Sequence, residues 1–189
     1  VGATCAVGAR AFAKLMRMAK QLSLVSLPLR LSASAATLVA LYFVSDELAG
    51  QPLSLGTGYA VLRDWLYIEP DLAIWLLVAV FVIRALASAA TTAGGGVGGV
   101  FIPLVVAGGI VGRGVGELVH PERFTLYTLL GIAAFLGAGY RVPLAAVMFV
   151  AETTGKPNFV VPALIAAVVA ELVMGEQSIT AYQRRPGQD

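Results

Sequence analysis

The hydrophobic positions of this chain form a series of apolar runs separated by glycine, proline or charged residues. The runs do not alternate between apolar and polar positions, and alanine and leucine outnumber β-branched residues in most of them. Alternation with a period of two is typical of a half-buried strand, so the pattern predicts helices instead. The predicted helices cover residues 1–19, 35–44, 53–66, 72–90, 100–111, 126–138, 142–151 and 159–170, with 53–66 the weakest because it contains Gly56 and Gly58.

Most of these runs are short for a membrane crossing. A straight spanning helix needs about 20 apolar residues, and only the run 72–90 approaches that length without help. The other helices would cross partway, or cross tilted with their polar residues turned inward. Short helices interrupted by glycine and proline are typical of transporters, whose broken helices end near the midplane of the bilayer. The alternative is a helical bundle with loop-rich ends that has no transport role.

The composition indicates a membrane protein. Hydrophobic residues make up 58% of the chain and charged residues 13%, with a mean hydropathy of +0.84. A soluble domain averages about 25% charged residues, because its surface must face water. The net charge of +2 is too small to indicate a nucleic-acid partner. We therefore predict an all-α integral membrane protein, a bundle of short, tilted and broken helices that forms a single transmembrane unit over residues 1–189.

The residues that usually carry catalysis are scarce. Cys5 is the only cysteine and His120 the only histidine, which argues against a disulfide framework and against a metal site. The sequence contains neither a Gly-x-Ser-x-Gly nucleophile turn nor a His-Glu-x-x-His zinc motif. We predict that the protein is not an enzyme and that it uses no metal or other cofactor.

The stretch TTAGGGVGGVFIP, residues 91–103, is the richest in glycine and admits several interpretations. Gly94-x-Gly96-x-x-Gly99 fits the dinucleotide-binding fingerprint, and Glu117 follows at a suitable distance. That fingerprint must follow a buried strand, whereas residues 85–90 are helix-like. A nucleotide-binding enzyme is therefore the least favoured interpretation.

In a membrane, the same glycines would let the chain unwind and leave backbone N–H groups uncovered. Pro103 fits the first turn of a new helix, where its missing N–H is no loss. The N–H groups of Val100, Phe101 and Ile102 would then project from a helix N-terminus. Such a terminus carries about half a positive charge and can hold an anion without lysine or arginine. The alternative is a flexible hinge between two spanning helices.

The helix that follows Pro103 has one bare face. Gly108, Gly112 and Gly116 recur at a four-residue spacing. Small residues at this spacing permit close contact between helices in membranes. We therefore predict a packing role for these three glycines.

Two motifs carry a resemblance to a known family. Residues 99–103, GVFIP, resemble the G-x-F-x-P signature of the CLC family of voltage-gated chloride channels and proton/chloride antiporters. Residues 139–155, GYRVPLAAVMFVAETTG, resemble the R-x-P-L…E-x-T segment of the same family, and the order and separation of the motifs also fit. The resemblance spans essentially the whole chain, as the C-terminal half: the second of two inverted repeats plus the last helix of the first.

The resemblance implies chloride transport across a membrane, as a channel or as a proton/chloride antiporter. It also implies a homodimer with a separate anion pathway in each subunit, and we expect the plasma or inner membrane of a bacterium. A secondary transporter of another substrate, with the glycine stretch acting as a hinge, is the alternative. The family's other anion-binding loops belong to a first repeat outside these residues, so we expect about half of a transport unit here.

The resemblance also implies the site residues. Backbone amides within the first motif contribute to the family's central chloride site, and the matching residues here are Gly99, Val100, Phe101 and Ile102. We expect Val100 and Phe101 to contribute most. A tyrosine hydroxyl at the start of the final helix completes the site in the family. Alignment on the preceding Ser-Ile pair places Thr180 at that position, and Tyr182, which has the matching residue type, lies two residues later.

Several charged residues lie within or beside apolar sequence. Glu152 ends one run and Glu171 interrupts another. Intramembrane carboxylates are often functional, but we predict a structural role for both, at a helix end, rather than proton relay. Arg84 lies deep in the run 72–90 and is expected to snorkel or to pair with an acid. Arg141 is expected to cap a re-entrant turn.

Overall fold

The computed structural model describes residues 1–22, 26–66, 72–96, 98–176 and 178–179. Within these ranges the chain is mainly helical, and no residue lies in a β-strand. The α-helices found there are α1 Gly2–Gln21, α2 Leu27–Ala49, α3 Ile74–Ala93, α4 Phe101–Val119, α5 Phe124–Tyr140, α6 Pro143–Thr154 and α7 Val160–Met174. A π-helix covers Val61–Leu66, and 3₁₀ turns cover Pro121–Arg123 and Pro157–Phe159. The prediction of an all-α fold is confirmed.

Within the described residues, four helical segments are long and apolar enough to cross a membrane: Leu27–Ala49, Ile74–Ala93, Phe101–Val119 and Pro157–Met174. The expectation that only the run 72–90 approaches spanning length is therefore wrong. The helices extend beyond the apolar runs because some of the polar residues that follow a run also lie in the helix, where the fold provides them with partners. For example, α4 continues through Arg113, whose side chain is fully buried beside Glu117.

The segment between α2 and α3 is not the weak α-helix that the sequence predicts. Residues 53–58 form turns and bends, and Val61–Leu66 winds into a π-helix. Gly56 and Gly58 have φ angles of +72° and +96°, in the left-handed region that an α-helix does not contain. The chain therefore bends over α3 at this point, where its carbonyl groups meet Arg84.

The contact between α4 and α5 forms the centre of the fold. A Cβ added at Gly108 would lie 2.6 Å from the Gly131 carbonyl oxygen, and one added at Gly112 would lie 2.9 Å from the Gly131 Cα. A Cβ at Gly116 would lie 2.9 Å from the Cβ of Tyr127. No side chain fits in these spaces, so the two helices touch through their backbones. The predicted packing role of the glycines on α4 is confirmed.

A tight turn at Arg141 joins α5 and α6. Arg141 has a φ angle of +61°, and the Val142 N–H donates to the Gly137 carbonyl at 3.1 Å. Pro143 then begins α6, at a position where a missing N–H is no loss. The turn that the sequence predicts at Arg141 is present, and the backbone of that residue shapes it.

Large apolar side chains are exposed on the outer helices. The exposed fraction is 65% for Phe43 of α2, 61% for Trp75 of α3 and 75% for Leu172 of α7. Soluble monomers rarely expose wide apolar patches, whereas lipid chains can cover such side chains directly. Together with the four candidate spans, this surface indicates an integral membrane protein.

Candidate functional site

The helix α4 begins directly after the glycine-rich stretch. Val100 is its N-cap residue, and the Leu104 N–H donates to the Val100 carbonyl at 3.1 Å as the first bond of the helix. The N–H groups of Val100, Phe101 and Ile102 precede that bond and have no partner within the helix. No side chain of the described residues caps them. The start of α4 therefore presents backbone donors together with the positive end of the helix dipole.

The Phe101 side chain anchors this end of α4. Its ring packs edge-on against Phe149 of α6, with the ring centroids 4.9 Å apart. The ring centroid of Tyr140 on α5 lies 6.2 Å from that of Phe101. Aromatic pairs at such distances favour a defined geometry. The aromatic residue of the motif thus fixes the direction of the neighbouring N–H groups by contacting two other helices.

A cavity of about 330 Å³ lies beside the start of α4, and we call it the α4 cavity. Gly98, Gly99, Val100 and Ile102 form one of its walls. One face of α3, with Arg84, the segment 54–57 and Leu38 of α2 form the others. None of the described residues that line it is acidic. Three of the four predicted amide residues therefore line one cavity, and the fourth, Phe101, directs its side chain toward α5 and α6.

Only some positions of the glycine-rich stretch need glycine for their backbone angle or for lack of space for a side chain. Gly95 has a φ angle of +92°, and a Cβ added at Gly96 would lie 2.7 Å from Thr91 Cγ2. A Cβ added at Gly98 or Gly99 would meet no other atom within 4 Å. The earlier glycines therefore permit the bend that follows α3, and the later ones leave open space beside the α4 cavity.

The side chain of Arg84 reaches the α4 cavity from the middle of α3. Its Nη1 donates to the carbonyls of Leu53 and Ser54, both at 3.2 Å, and to that of Leu55 at 3.0 Å. The expectation that it snorkels or pairs with an acid is therefore wrong. The bent segment that begins at residue 53 supplies carbonyl oxygens close to α3, and these solvate the guanidinium instead.

A buried ion pair lies farther along α4, where the apolar pattern of the sequence indicates none. Arg113 Nε lies 2.5 Å from Glu117 Oε1, and the two side chains are 0% and 10% exposed. Arg113 Nη1 also donates to the Leu66 carbonyl at 2.6 Å, and the guanidinium lies 3.7 Å from the centre of the Phe124 ring. Opposite charges four residues apart on one helix are the signal that identifies such a pair in sequence.

The Arg113–Glu117 pair also argues against the dinucleotide-binding interpretation, in which Glu117 is the acidic residue that follows the fingerprint. Glu117 is bound to Arg113. The glycines at positions 94–99 follow helix α3, and no strand precedes them in the described part of the chain. The structural context that the fingerprint requires is therefore not found there.

The segment after α7 returns to the end of α5. The Ser178 hydroxyl and the Ile179 N–H both donate to the Gly139 carbonyl, at 3.3 and 3.2 Å. A Cβ added at Gly139 would lie 3.1 Å from Ile179 Cδ1 and 3.3 Å from Leu104 Cδ1. Because Leu104 is in the first turn of α4, the end of the described chain lies near the start of that helix. The two candidate hydroxyl donors, Thr180 and Tyr182, lie outside the described residues.

The acidic residues Glu152 and Glu171 lie away from this site. Glu152 is exposed near the end of α6, and Glu171 is partly exposed on α7. Neither lines the α4 cavity. Their predicted structural roles stay predictions.

Known proteins resemble most of this chain. The sequence profile of a family described as voltage gated chloride channel matches residues 1–175. Over 128 residues, the chain is 30% identical to the voltage-gated ClC-type chloride channel ClcB of Citrobacter koseri and to that of Salmonella typhimurium. Over 130 residues, it is 25% identical to the H(+)/Cl(-) exchange transporter ClcA of Salmonella paratyphi A. The resemblance that the two sequence motifs indicate is confirmed.

The chain is much shorter than these relatives. The matches cover 65% of this chain, but 30% of each ClcB protein and 27% of the ClcA protein. The aligned part of the chain therefore spans less than a third of the length of the curated relatives it matches. By their names, these relatives include both channels and an exchanger.

Proposed function

Because this chain belongs to the voltage-gated chloride channel family, we propose that it forms part of a membrane protein that transports chloride. The anion is bound by the N–H groups of Val100 and Phe101, with Gly99 and Ile102 shaping its surroundings. The observation that supports this most directly is that α4 begins without a side-chain cap beside a cavity. A helix N-terminus of this kind is a ready-made anion site, because its donors and its dipole both favour negative charge.

Backbone donors suit an ion that must leave again. Chloride loses part of its hydration water on entry, and the N–H groups replace those hydrogen bonds. Because the helix end carries about half a charge rather than a full one, binding is favourable without being tight. The ring of Phe101 holds the start of α4 against α5 and α6, so the donors keep their direction when the ion departs.

A hydroxyl from the segment after α7 completes this proposed site. Ser178 and Ile179 bind the Gly139 carbonyl beside the first turn of α4. Thr180 follows Ile179 directly in the sequence, and Tyr182 lies two residues beyond it. Either hydroxyl would add one donor to the backbone N–H groups.

The proposal extends to the assembly and its location. The protein acts as a homodimer in the plasma or inner membrane of a bacterium, either as a channel or as a proton-coupled exchanger, and needs no metal or other cofactor. The named relatives come from bacteria and include both modes of transport. Exposed apolar side chains on α7, such as Val161 and Ile165, can be covered by lipid or by a second subunit.

Replacing Val100 with proline tests the assigned donors. Proline removes one N–H, and the φ angle of −84° at Val100 lies near the range that proline requires. The control Val100→Ala keeps the N–H while shortening the side chain. Calorimetric titration of chloride into the complete gene product should show affinity about tenfold weaker for Val100→Pro than for Val100→Ala. Equal affinities would rule out the Val100 N–H as a ligand.

A second candidate function is secondary transport of another substrate, with the glycine stretch acting as a hinge. The open space around Gly98 and Gly99 favours movement there. A Gly98→Ala, Gly99→Ala double variant adds methyl groups that meet no neighbour and stiffens the backbone. Loss of transport with unchanged chloride affinity would favour the hinge, whereas unchanged transport would favour the anion site alone.

A further inference from the structure

A second cavity, of about 500 Å³, lies where the connection between α4 and α5 meets the connection between α6 and α7, and we call it the turn cavity. It shares no lining residue with the α4 cavity. Both connections lie at the ends of candidate membrane spans, because Val119 ends one span and Pro157 begins another. The turn cavity therefore lies at one surface of the membrane.

Two basic side chains line the turn cavity, one from each connection. These are Arg123 and Lys156, and both are exposed. Within the described part of the chain neither forms an ion pair, and no acidic residue found there lines the cavity. Glu122 precedes Arg123 in the sequence, but it is exposed outside the cavity lining. Two positive charges that face one space without a negative charge between them attract an anion.

The inner wall of the turn cavity is apolar. Leu126 and Leu129 line it from α5, about 4.5 Å and about 9 Å along the helix axis from Arg123 at 1.5 Å per residue. Phe159 lines it directly before α7. Leu129 and Phe159 are buried, and Leu126 is half-buried. Since α5 runs back along α4, the lining changes from charged at the membrane surface to apolar toward the bilayer interior.

We propose that the turn cavity binds an anionic phospholipid. The phosphate lies between Arg123 and Lys156, and the first part of one acyl chain lies against Leu126 and Phe159. This order of charged and apolar groups is that of a phospholipid in a bilayer. The volume of about 500 Å³ falls within the range of about 300–1,000 Å³ that is typical of small-molecule sites, so the rest of the lipid stays in the bilayer.

Two other occupants match the turn cavity less well. Free phosphate would use the two positive charges and leave the apolar wall facing water. A zwitterionic lipid would bring its own positive group to two basic side chains. An anionic phospholipid complements both parts of the lining. This assignment requires only that the chain lies in a membrane, so it does not depend on chloride transport.

A bound lipid would contact both connections at once and would stabilise the folded protein, because a ligand that binds only the folded state raises its stability. Phosphatidylglycerol titrated into the complete gene product in a neutral detergent should therefore raise the temperature of thermal unfolding. The dependence of this rise on lipid concentration gives an apparent affinity.

The Lys156→Gln variant tests the charge in this assay. Its apparent affinity for phosphatidylglycerol should be about fivefold weaker than that of the wild type, which is the typical contribution of one basic residue near an anionic membrane surface. The control Lys14→Gln removes the same charge from an exposed lysine of α1 that does not line the turn cavity, and it should leave the affinity unchanged. Equal affinities for Lys156→Gln and the wild type would overturn the proposal.

Three probes titrated into the wild-type protein identify the class of ligand. Phosphatidylglycerol should bind more tightly than phosphatidylcholine, and inorganic phosphate should leave the unfolding temperature unchanged. Equal affinities for the two lipids would overturn the role of the charges. Inorganic phosphate that binds as tightly as phosphatidylglycerol would overturn the assignment to a lipid.

A cryo-electron microscopy structure of the complete gene product in nanodiscs of phosphatidylglycerol locates the lipid directly. We expect headgroup density between Arg123 and Lys156 and acyl-chain density along Leu126. Side chains from another part of the protein, or from a second subunit, that fill the turn cavity would overturn the proposal.

Discussion

At the start of α4, the side chains and the backbone perform separate tasks. The ring of Phe101 contacts two neighbouring helices, while the nearby N–H groups carry no side-chain cap. The sequence predicts these donors because a glycine-rich stretch followed by Pro103 indicates a helix start. The sequence does not predict which groups bind Arg84. Every residue has a backbone carbonyl, and the sequence does not show which of them come close to this side chain. Only the bend at residues 53–58 brings them to this guanidinium.

The Arg113–Glu117 pair should contribute strongly to stability. Replacing Arg113 with methionine leaves Glu117 largely buried without its partner. Such a change should lower the free energy of unfolding by about 3–5 kcal/mol. The double variant Arg113→Met, Glu117→Leu should recover most of that loss, because no unpaired charge remains. Denaturant unfolding of the complete gene product in detergent measures both. A single variant as stable as the wild type would show that the pair does not stabilise the fold.

At the scale of helices, the apolar runs predict which segments are helical and do not predict where each helix ends. The run 100–111 begins at the N-cap residue of α4, but that helix continues to Val119 because Arg113 is paired inside the fold. The run 53–66 fails as an α-helix because two of its glycines adopt left-handed angles. Hydrophobicity reports burial, whereas helix ends depend on contacts that form only after folding. The four-residue glycine spacing on α4 predicts packing correctly, because this spacing by itself defines which face of the helix is bare.

The backbone contact between α4 and α5 gives a matched pair of variants on one helix. A Cβ at Gly112 would collide with the Tyr127 carbonyl and lie 2.9 Å from the Gly131 Cα. A Cβ at Gly114 would meet only Leu77 Cδ1, at 3.8 Å. Gly112→Ala should therefore lower the free energy of unfolding by about 1–3 kcal/mol, while Gly114→Ala should be neutral or slightly stabilising. Equal effects in detergent unfolding would show that α4 and α5 do not touch as described.

At the scale of the whole molecule, the chain is an all-α membrane unit that presents one end of α4 to a cavity. Composition alone indicates the membrane, because the charged fraction is about half that of a soluble domain. The route of the chain around α4 is not readable from composition. The return of Ile179 to Gly139, beside Leu104, depends on the packing of α5 against its neighbours. That return brings two distant parts of the sequence to the same helix start.

Chloride efflux from liposomes that contain the complete gene product tests the central proposal most directly. The wild-type protein and the Val100→Ala variant should release chloride faster than empty liposomes. The Val100→Pro variant should be slower by about tenfold at low chloride, because one N–H donor is missing from the start of α4. Wild-type efflux no faster than from empty liposomes, or equal rates for the alanine and proline variants, would contradict chloride transport through this site.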